Sequence, residues 1–223
     1  MVTTYKPDAR SKWVGQDHDT DVDGRVAGLP DGDTIASVSI TAHPVLSTSS
    51  VSVNTGQVRI NRRLCGSSES FALTIGGGRD GETYALAYTL TTAGGLSLPG
   101  RLLVRCLDAG RISQQAAPQI GERGTASIDP VSVDCFGMGL AGGDTISSVT
   151  IAAHPILTFG SATINAAIMQ IGRRRCAIGQ AFTFNVSGGR DGETYAVNFT
   201  ITTTGGQTGL PVRIYIRCFN NSD

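Results

Sequence analysis

The chain is poor in the residues on which catalysis usually depends. Among 223 residues there are three histidines and one tryptophan. A Ser-His-Asp relay has little to draw on, and no Gly-x-Ser-x-Gly elbow is present. No Cys-x-x-Cys or paired-histidine spacing supports zinc. Neither charge sign is in excess, with Lys+Arg and Asp+Glu both at 18. That balance argues against a generic electrostatic nucleic-acid binder, which needs a basic surplus. No run of about 18 apolar residues occurs, so no membrane-spanning helix is expected. The start, Met1 to Pro7, lacks the apolar centre of a signal peptide. Synthesis in a cytosol without export by the ordinary secretory route is therefore expected. Charged residues are only 16% and hydrophobic ones 40%, which excludes global disorder, while 29 glycines exclude a helical bundle.

What the chain does contain is a copy of itself. A shift of 111 residues carries Asp33-Thr34-Ile35 onto Asp144-Thr145-Ile146 and His43-Pro44 onto His154-Pro155. The same shift carries Arg62-Arg63 onto Arg173-Arg174 and Gly77 through Tyr84 onto Gly188 through Tyr195. About half of roughly 60 aligned positions are identical. One residue is inserted after Gly94-Gly95, so Cys106 matches Cys218. Repeats this long are duplicated domains, because solenoid repeats run about 20–50 residues.

Each copy reads as all-β. Tyr84, Leu86, Tyr88 and Leu90 alternate with small and hydroxyl residues, as do Tyr195, Val197, Phe199 and Ile201. Period-two alternation with aromatic and β-branched residues marks a half-buried strand. Phe71, Leu73, Ile75 and Leu102, Val104, Cys106 alternate likewise. The Gly76–Gly81 segment reads as a hairpin turn between two strands, with Asp80-Gly81 suited to a positive φ. Six or seven short strands per unit predict two tandem immunoglobulin-like β-sandwiches. The Cys-Trp-Cys arrangement of antibody domains is missing. The expected boundaries are a polar leader at 1–28, a first sandwich at 29–107, a breaker-rich linker at 108–127 and a second sandwich at 128–223.

Several residues are candidates for sites. Asp19, Asp21, Asp23 and Gly24 match the opening of a calcium loop, but position 12 of that loop falls on Pro30 instead of Glu. A solvated acidic leader or a docking strip is the competing reading. Arg62-Arg63 and Arg173-Arg174-Arg175 recur at matching places, which suits contact with phosphate or a carboxylate-bearing partner, or a solvated strand face with nearby acids; the zero net charge favours protein over nucleic acid. The Gly77–Tyr84 element lacks the Gly-Lys-Ser/Thr ending of a phosphate loop. His43 and His154 read as structural histidines. Of five cysteines, Cys65 matches Cys176 and Cys106 matches Cys218, with Cys135 left over. The recurrence places the two sulfurs of each unit close together, as Cys65–Cys106 and Cys176–Cys218, either bonded or as small buried hydrophobes according to compartment. No cofactor is expected.

Lys6-Pro7-Asp8-Ala9, then Trp13, then Leu29 through Ile35 before an alternating strand, resembles the N-terminal signature of small virion proteins of tailed phages. Gly77-Gly78 through Tyr84, then Thr89–Thr92 and Gly94-Gly95, resembles the same family's later pattern, and the second copy repeats it. The family is that of fiber-tail adaptor or head–tail neck proteins. Its members usually carry one such unit, so the doubling departs from the pattern, as do the Arg-Arg and Cys insertions. The resemblance implies an immunoglobulin-like sandwich without enzymatic activity. It implies a virion location in tail or neck, after synthesis in the host bacterium's cytoplasm, with other virion proteins as partners. On that reading Lys6, Asp8 and Trp13 belong to a docking leader, with the arginine clusters as further contacts. Edge strands and linked units suit several copies in a symmetric assembly, with neither nucleic acid nor membrane as partner. A capsid decoration protein and a host-carbohydrate recognition module are the alternatives. The last requires exposed aromatics, and only thirteen aromatic residues exist.

Overall fold

The computed structural model describes residues 8–13, 16–107, 120–124 and 128–219. The chain divides into two units, Met1–Gly110 and Arg111–Asp223. In the first unit the alternating segments become β7 (Ser70–Gly77), β8 (Thr83–Thr92) and β9 (Ser97–Leu107), and the opening strand is β3 (Ile35–Ile40). Around them lie β1 (Asp8–Trp13), β2 (His18–Asp23), β4 (Leu46–Val53), and the short β5 (Val58–Ile60) and β6 (Arg63–Cys65). One sheet runs β1-β9-β8-β3, and a second runs β2-β7-β4. Strand β1 is parallel to β9, and the other pairs are antiparallel. Strands β5 and β6 form a separate two-stranded ribbon.

The second unit repeats this plan. Its first sheet is β10 (Ile120–Gly124), β19 (Leu210–Phe219), β18 (Thr194–Thr203) and β12 (Ile146–Ile151). Its second sheet places β11 (Asp129–Asp134) and β13 (Leu157–Phe159) on either side of β17 (Ala181–Gly188), with β14 (Thr163–Ile164) also on β17. Its ribbon is β15 (Met169–Ile171) with β16 (Arg174–Cys176). Both units are immunoglobulin-like sandwiches.

The cores sit where the period-two pattern puts them. Tyr84, Leu86, Tyr88 and Leu90 of β8 are buried, as are Phe71, Leu73 and Ile75 of β7. Phe71 meets Tyr88 edge-on, with ring centroids 5.2 Å apart, inside the usual range for aromatic pairs. In the second unit Phe182 and Phe184 both pack against Phe199, at 5.1 and 5.2 Å. Burying each such side chain contributes about 1.5–3 kcal/mol.

Three expectations about organisation need correction. The segment 1–28 is not a leader outside the fold, because it contains β1 and β2. Val22 is fully buried and Thr20 nearly so, while the intervening acids sit on the other side of the strand. The segment 108–127 is not only a linker, because β10 lies within it and pairs with β19. The residues 108–119 and 125–127 lie outside the described residues. The Gly76–Gly81 turn is not a hairpin. Strand β7 pairs with β2 and β4, and β8 pairs with β9 and β3, so the connection crosses from one sheet to the other.

Candidate partner-binding surface

The sheet-crossing corner explains its own sequence. Gly77 and Gly78 hold φ of 71° and 88°. A side chain at Gly77 would strike the Val45 carbonyl, and one at Gly78 would strike the Cys106 sulfur. Beyond them Tyr84 turns its phenol back into the corner. Its oxygen accepts from the Arg79 backbone N–H at 3.2 Å and donates to the buried Glu82 carboxylate. Arg79 Nε stands 3.7 Å from the other Glu82 oxygen. Tyr195, Glu193 and Arg190 repeat the arrangement, with the Arg190 N–H 3.0 Å from the phenol oxygen. A tyrosine at the start of this strand that bonds upstream backbone is the tyrosine corner of immunoglobulin-like sandwiches. Burial, and then the Glu carboxylate, push both phenols well above the ordinary tyrosine range. The Gly-Glu-Thr-Tyr motif was the available signal for this corner.

His43 and His154 are structural. His43 Nδ1 accepts from the Val45 and Leu46 N–H groups, both at 3.2 Å, and its ring meets Tyr84 edge-on. His154 does the same with Ile156, Leu157 and Tyr195.

The acidic run is a strand, which changes its chemistry. Asp19, Asp21 and Asp23 alternate along β2 about 6.6 Å apart, too extended to wrap one cation as a loop does. Asp19 accepts from the Thr74 hydroxyl at 2.6 Å and Asp21 from the Asn54 amide at 3.0 Å. Asp23 accepts from the Arg25 N–H at 2.9 Å and pairs with Arg63. Among the described residues no three His, Cys, Asp or Glu side chains are grouped to hold a metal ion.

The arginine clusters separate into two roles. In each ribbon a two-residue turn joins the strands. Its first residue has positive φ, Asn61 at 56° and Gly172 at 57°, as two-residue hairpins require. The second turn residue is Arg62 or Arg173, so each stands at the ribbon tip. Arg63 points inward to Asp23 and to Glu69, at 2.5 Å from the latter. The hydrogen bond to Asp23 raises the Arg63 pKa. Glu69 is held below the usual range by the Gly66 N–H and then by Arg63 and Arg25. In the second unit Arg174 reaches Asp134 at 2.9 Å, and its guanidinium lies 4.0 Å from the centre of the Phe136 ring. Arg63 and Arg174 thus anchor the ribbons to the sandwiches and are not free partner contacts. Arg62, Arg173 and Arg175 are exposed. Arg59, which stands outside any arginine cluster in the sequence, is exposed beside them, opposite Leu64.

Of the two readings of the cysteines, the structure has the buried thiols, with no disulfide among them. All five are buried. Cys65 faces inward on the ribbon near Arg63 and Asp23, whereas Cys106 lies against Gly78 and Tyr84. Cys176 and Cys218 occupy the matching places. Repetition put equivalent sulfurs in equivalent surroundings in the two units. Lys6 lies outside the described residues. Asp8 and Trp13 bound β1.

The profile of one family, described as podophage GP4 fiber-tail adaptor protein gp77, matches residues 12–105 and again 125–214. A search of curated proteins finds no match. Among solved structures, the endo-fucoidan hydrolase MfFcnA4 of glycoside hydrolase family 107 aligns at 11% identity and a TM-score of 0.29. The alignment covers 96% of this chain and 28% of that one. The fibronectin(III)-like modules of Clostridium thermocellum CbhA align at 9% identity and a TM-score of 0.25, covering 97% and 93% of the two chains. Dpr2 Ig1-Ig2, solved in complex with DIP-Theta Ig1-Ig3, aligns at 12% identity and a TM-score of 0.24, covering 96% of each. Among the described residues no helix is long and apolar enough to cross a membrane. With both sandwiches matched separately, the chain belongs to the podophage fiber-tail adaptor family and carries the family's unit twice.

Proposed function

We propose that the chain is a non-enzymatic structural adaptor of a phage virion that connects the tail, or the connector above it, to the tail fibres. The match of the family profile to each of the two units carries this reading. The polar groups that might have served chemistry have structural partners: the histidine Nδ1 atoms take backbone N–H groups, and the Glu82 and Glu193 carboxylates take tyrosine phenols. What remains outward is ribbon and sheet edge, which suits contact with other virion proteins. The chain acts in several copies within a symmetric assembly.

Labelling the chain on purified particles tests this directly. The label is expected at the tail, at about a dozen copies or fewer per particle, as tail symmetry dictates. A label spread over the shell in numbers on the order of hundreds would establish the decoration alternative instead. Absence of the chain from particles would end the virion reading altogether. Removing residues 1–28 is not a clean test of docking, since it deletes β1 and β2 and exposes the first core.

A further inference from the structure

We propose that the two arginine ribbons are the adaptor's docking prongs, and that each receives an acidic, partly apolar segment of a neighbouring virion protein. The proposal rests on the adaptor reading above and names the chemistry of the partner.

The four arginines concerned are Arg59 and Arg62 in the first unit and Arg173 and Arg175 in the second. All four are exposed, and none has an ion-pair or hydrogen-bond partner for its side chain among the described residues. The neighbouring acids do not neutralise them. Between residues 54 and 69 the one acid is Glu69, already engaged by Arg63 and Arg25. Between residues 165 and 180 there is no acid, and Asp134 beside the ribbon is engaged by Arg174. Each ribbon therefore projects two uncompensated guanidinium groups from a chain whose formal net charge is zero.

Exposed apolar side chains also accompany both ribbons. Leu64 is 59% exposed and lies directly across the ribbon from Arg59. Ile168 and Ile178, 55% and 58% exposed, stand together at the base of the second ribbon, just before β15 and just beyond β16. Exposed arginine beside exposed aliphatic side chains is the composition of a protein interface. Guanidinium forks bind carboxylates bidentately, which gives orientation as well as attraction. A phosphate backbone would make no use of Leu64, Ile168 or Ile178, and two charges per unit are few for it. Charge complementarity and the apolar neighbours both favour a protein segment bearing Asp or Glu.

The stems hold the prongs out. Ser68 and Asn54 close the first stem through N–H to carbonyl bonds of 2.7 Å and, with Ser70, 3.0 Å. Gly179, Asn165 and Ala181 repeat these bonds at 3.0 Å each. The inward Arg63 and Arg174 then fix each ribbon to its sandwich, so the tip arginines stand on anchored backbone.

The test uses the full chain and particles assembled without it. Wild type is added back and bound chain is quantified by mass spectrometry. The combined variant Arg59→Gln, Arg62→Gln, Arg173→Gln, Arg175→Gln is expected to keep the wild-type melting temperature and to lose about tenfold or more in attachment. The four corresponding Arg→Lys changes, which keep charge without the fork, are expected to fall between. Attachment of wild type should also weaken as salt rises, a measurement independent of whether any variant folds. Poly-L-glutamate should bind wild type better than a random DNA duplex does. Full attachment by the glutamine variant, or salt-independent attachment of wild type, overturns the proposal while leaving the adaptor reading intact. Preference for the DNA duplex overturns it in favour of nucleic acid. Failure of wild type itself to attach counts against the adaptor reading instead.

Discussion

Replacing Tyr195 with Phe removes one oxygen from the corner of the second unit and leaves the ring in place. The phenol donates to the fully buried Glu193 and accepts from the Arg190 N–H. A hydrogen bond to a charged group contributes about 1.5–3 kcal/mol, and a buried group left unsatisfied costs about 1–3 kcal/mol. The loss of volume is small, so the expected destabilisation is about 3 kcal/mol. At roughly 4 °C per kcal/mol for a unit of this size, that lowers its melting transition by about 12 °C. Tyr84→Phe should do the same to the first unit, through Glu82 and Arg79. Calorimetry on the full chain reads both. Tyr215→Phe is the control, because Tyr215 is only half-buried on β19 and its phenol has no hydrogen-bond partner among the described residues; it should stay within about 0.5 kcal/mol. The phenols add a pH signature. Their folded pKa values are raised, so their contribution is complete below the ordinary tyrosine value and is lost as pH rises beyond it. Tyrosinate absorbance from Tyr84 and Tyr195 should therefore appear only with unfolding. A corner variant that melts like the Tyr215 control would refute the reasoning.

The five thiols should be silent toward a disulfide-exchange reagent in the folded chain and all react after denaturation, since each is buried and none is in a disulfide. Burial and Asp134 push the Cys135 thiol up to about 12, so mild alkali alone should not expose a fast-reacting group. Gly100→Val should destabilise the first unit by about 1–3 kcal/mol, because the Tyr88 ring occupies the space a side chain there would need. The second unit has Phe199 opposite Val212 at this place, so adding Tyr88→Phe should recover part of the loss. Asp144 is held below the ordinary carboxylate range by the Thr203 hydroxyl and the Gly205 and Thr145 amides. Its contribution is present above the ordinary Asp value and lost as pH falls through the lowered one, so Asp144→Asn should flatten the acid limb of stability measured by urea titration.

How far the fold could be read in advance depended on how local its signals were. The Tyr84–Leu90 and Phe71–Ile75 faces announced themselves because each strand is half-buried with large side chains on one side only. Strand β2 did not, because Val22 is its one large apolar residue and three aspartates occupy the alternate positions. Strands β1 and β10 have no alternating apolar face at all; each is an edge strand on a longer neighbour. The corner was misread because the choice between hairpin and sheet crossing is made by β2 and β4, far away in sequence. The anchoring role of Arg63 was hidden for the same reason, since Asp23 lies 40 residues earlier. Equivalence between copies identifies equivalent environments and says nothing about contacts within a copy, which is why it left the bonding of the cysteines open.

The differences between the copies bear on what the ribbons are for. In the first unit Arg63 is held by two carboxylates, and Arg25 joins them through Glu69. In the second, Phe136 stands where Arg25 was and Gln180 where Glu69 was, and Arg174 keeps one carboxylate and an aromatic face instead. The surrounding chemistry has been exchanged, charge for stacking, yet the inward arginine and its ribbon remain. An ion-pair network maintained for stability alone would gain little from this, since exposed pairs contribute at most about 1 kcal/mol. What both solutions have in common is the placement of the ribbon tip, with one unpaired arginine in the turn and another on the outward face. The outward arginine itself changes strand between copies, Arg59 on β5 in one and Arg175 on β16 in the other. Those two positions share one rung of the ribbon, since Arg59 pairs with Leu64 and Gln170 with Arg175, so two exposed charges per ribbon persist although the strand that carries one of them changes. Such a pattern is what selection on net local charge produces, and a carboxylate-bearing partner that tolerates some rearrangement of its contacts is the ligand that fits it.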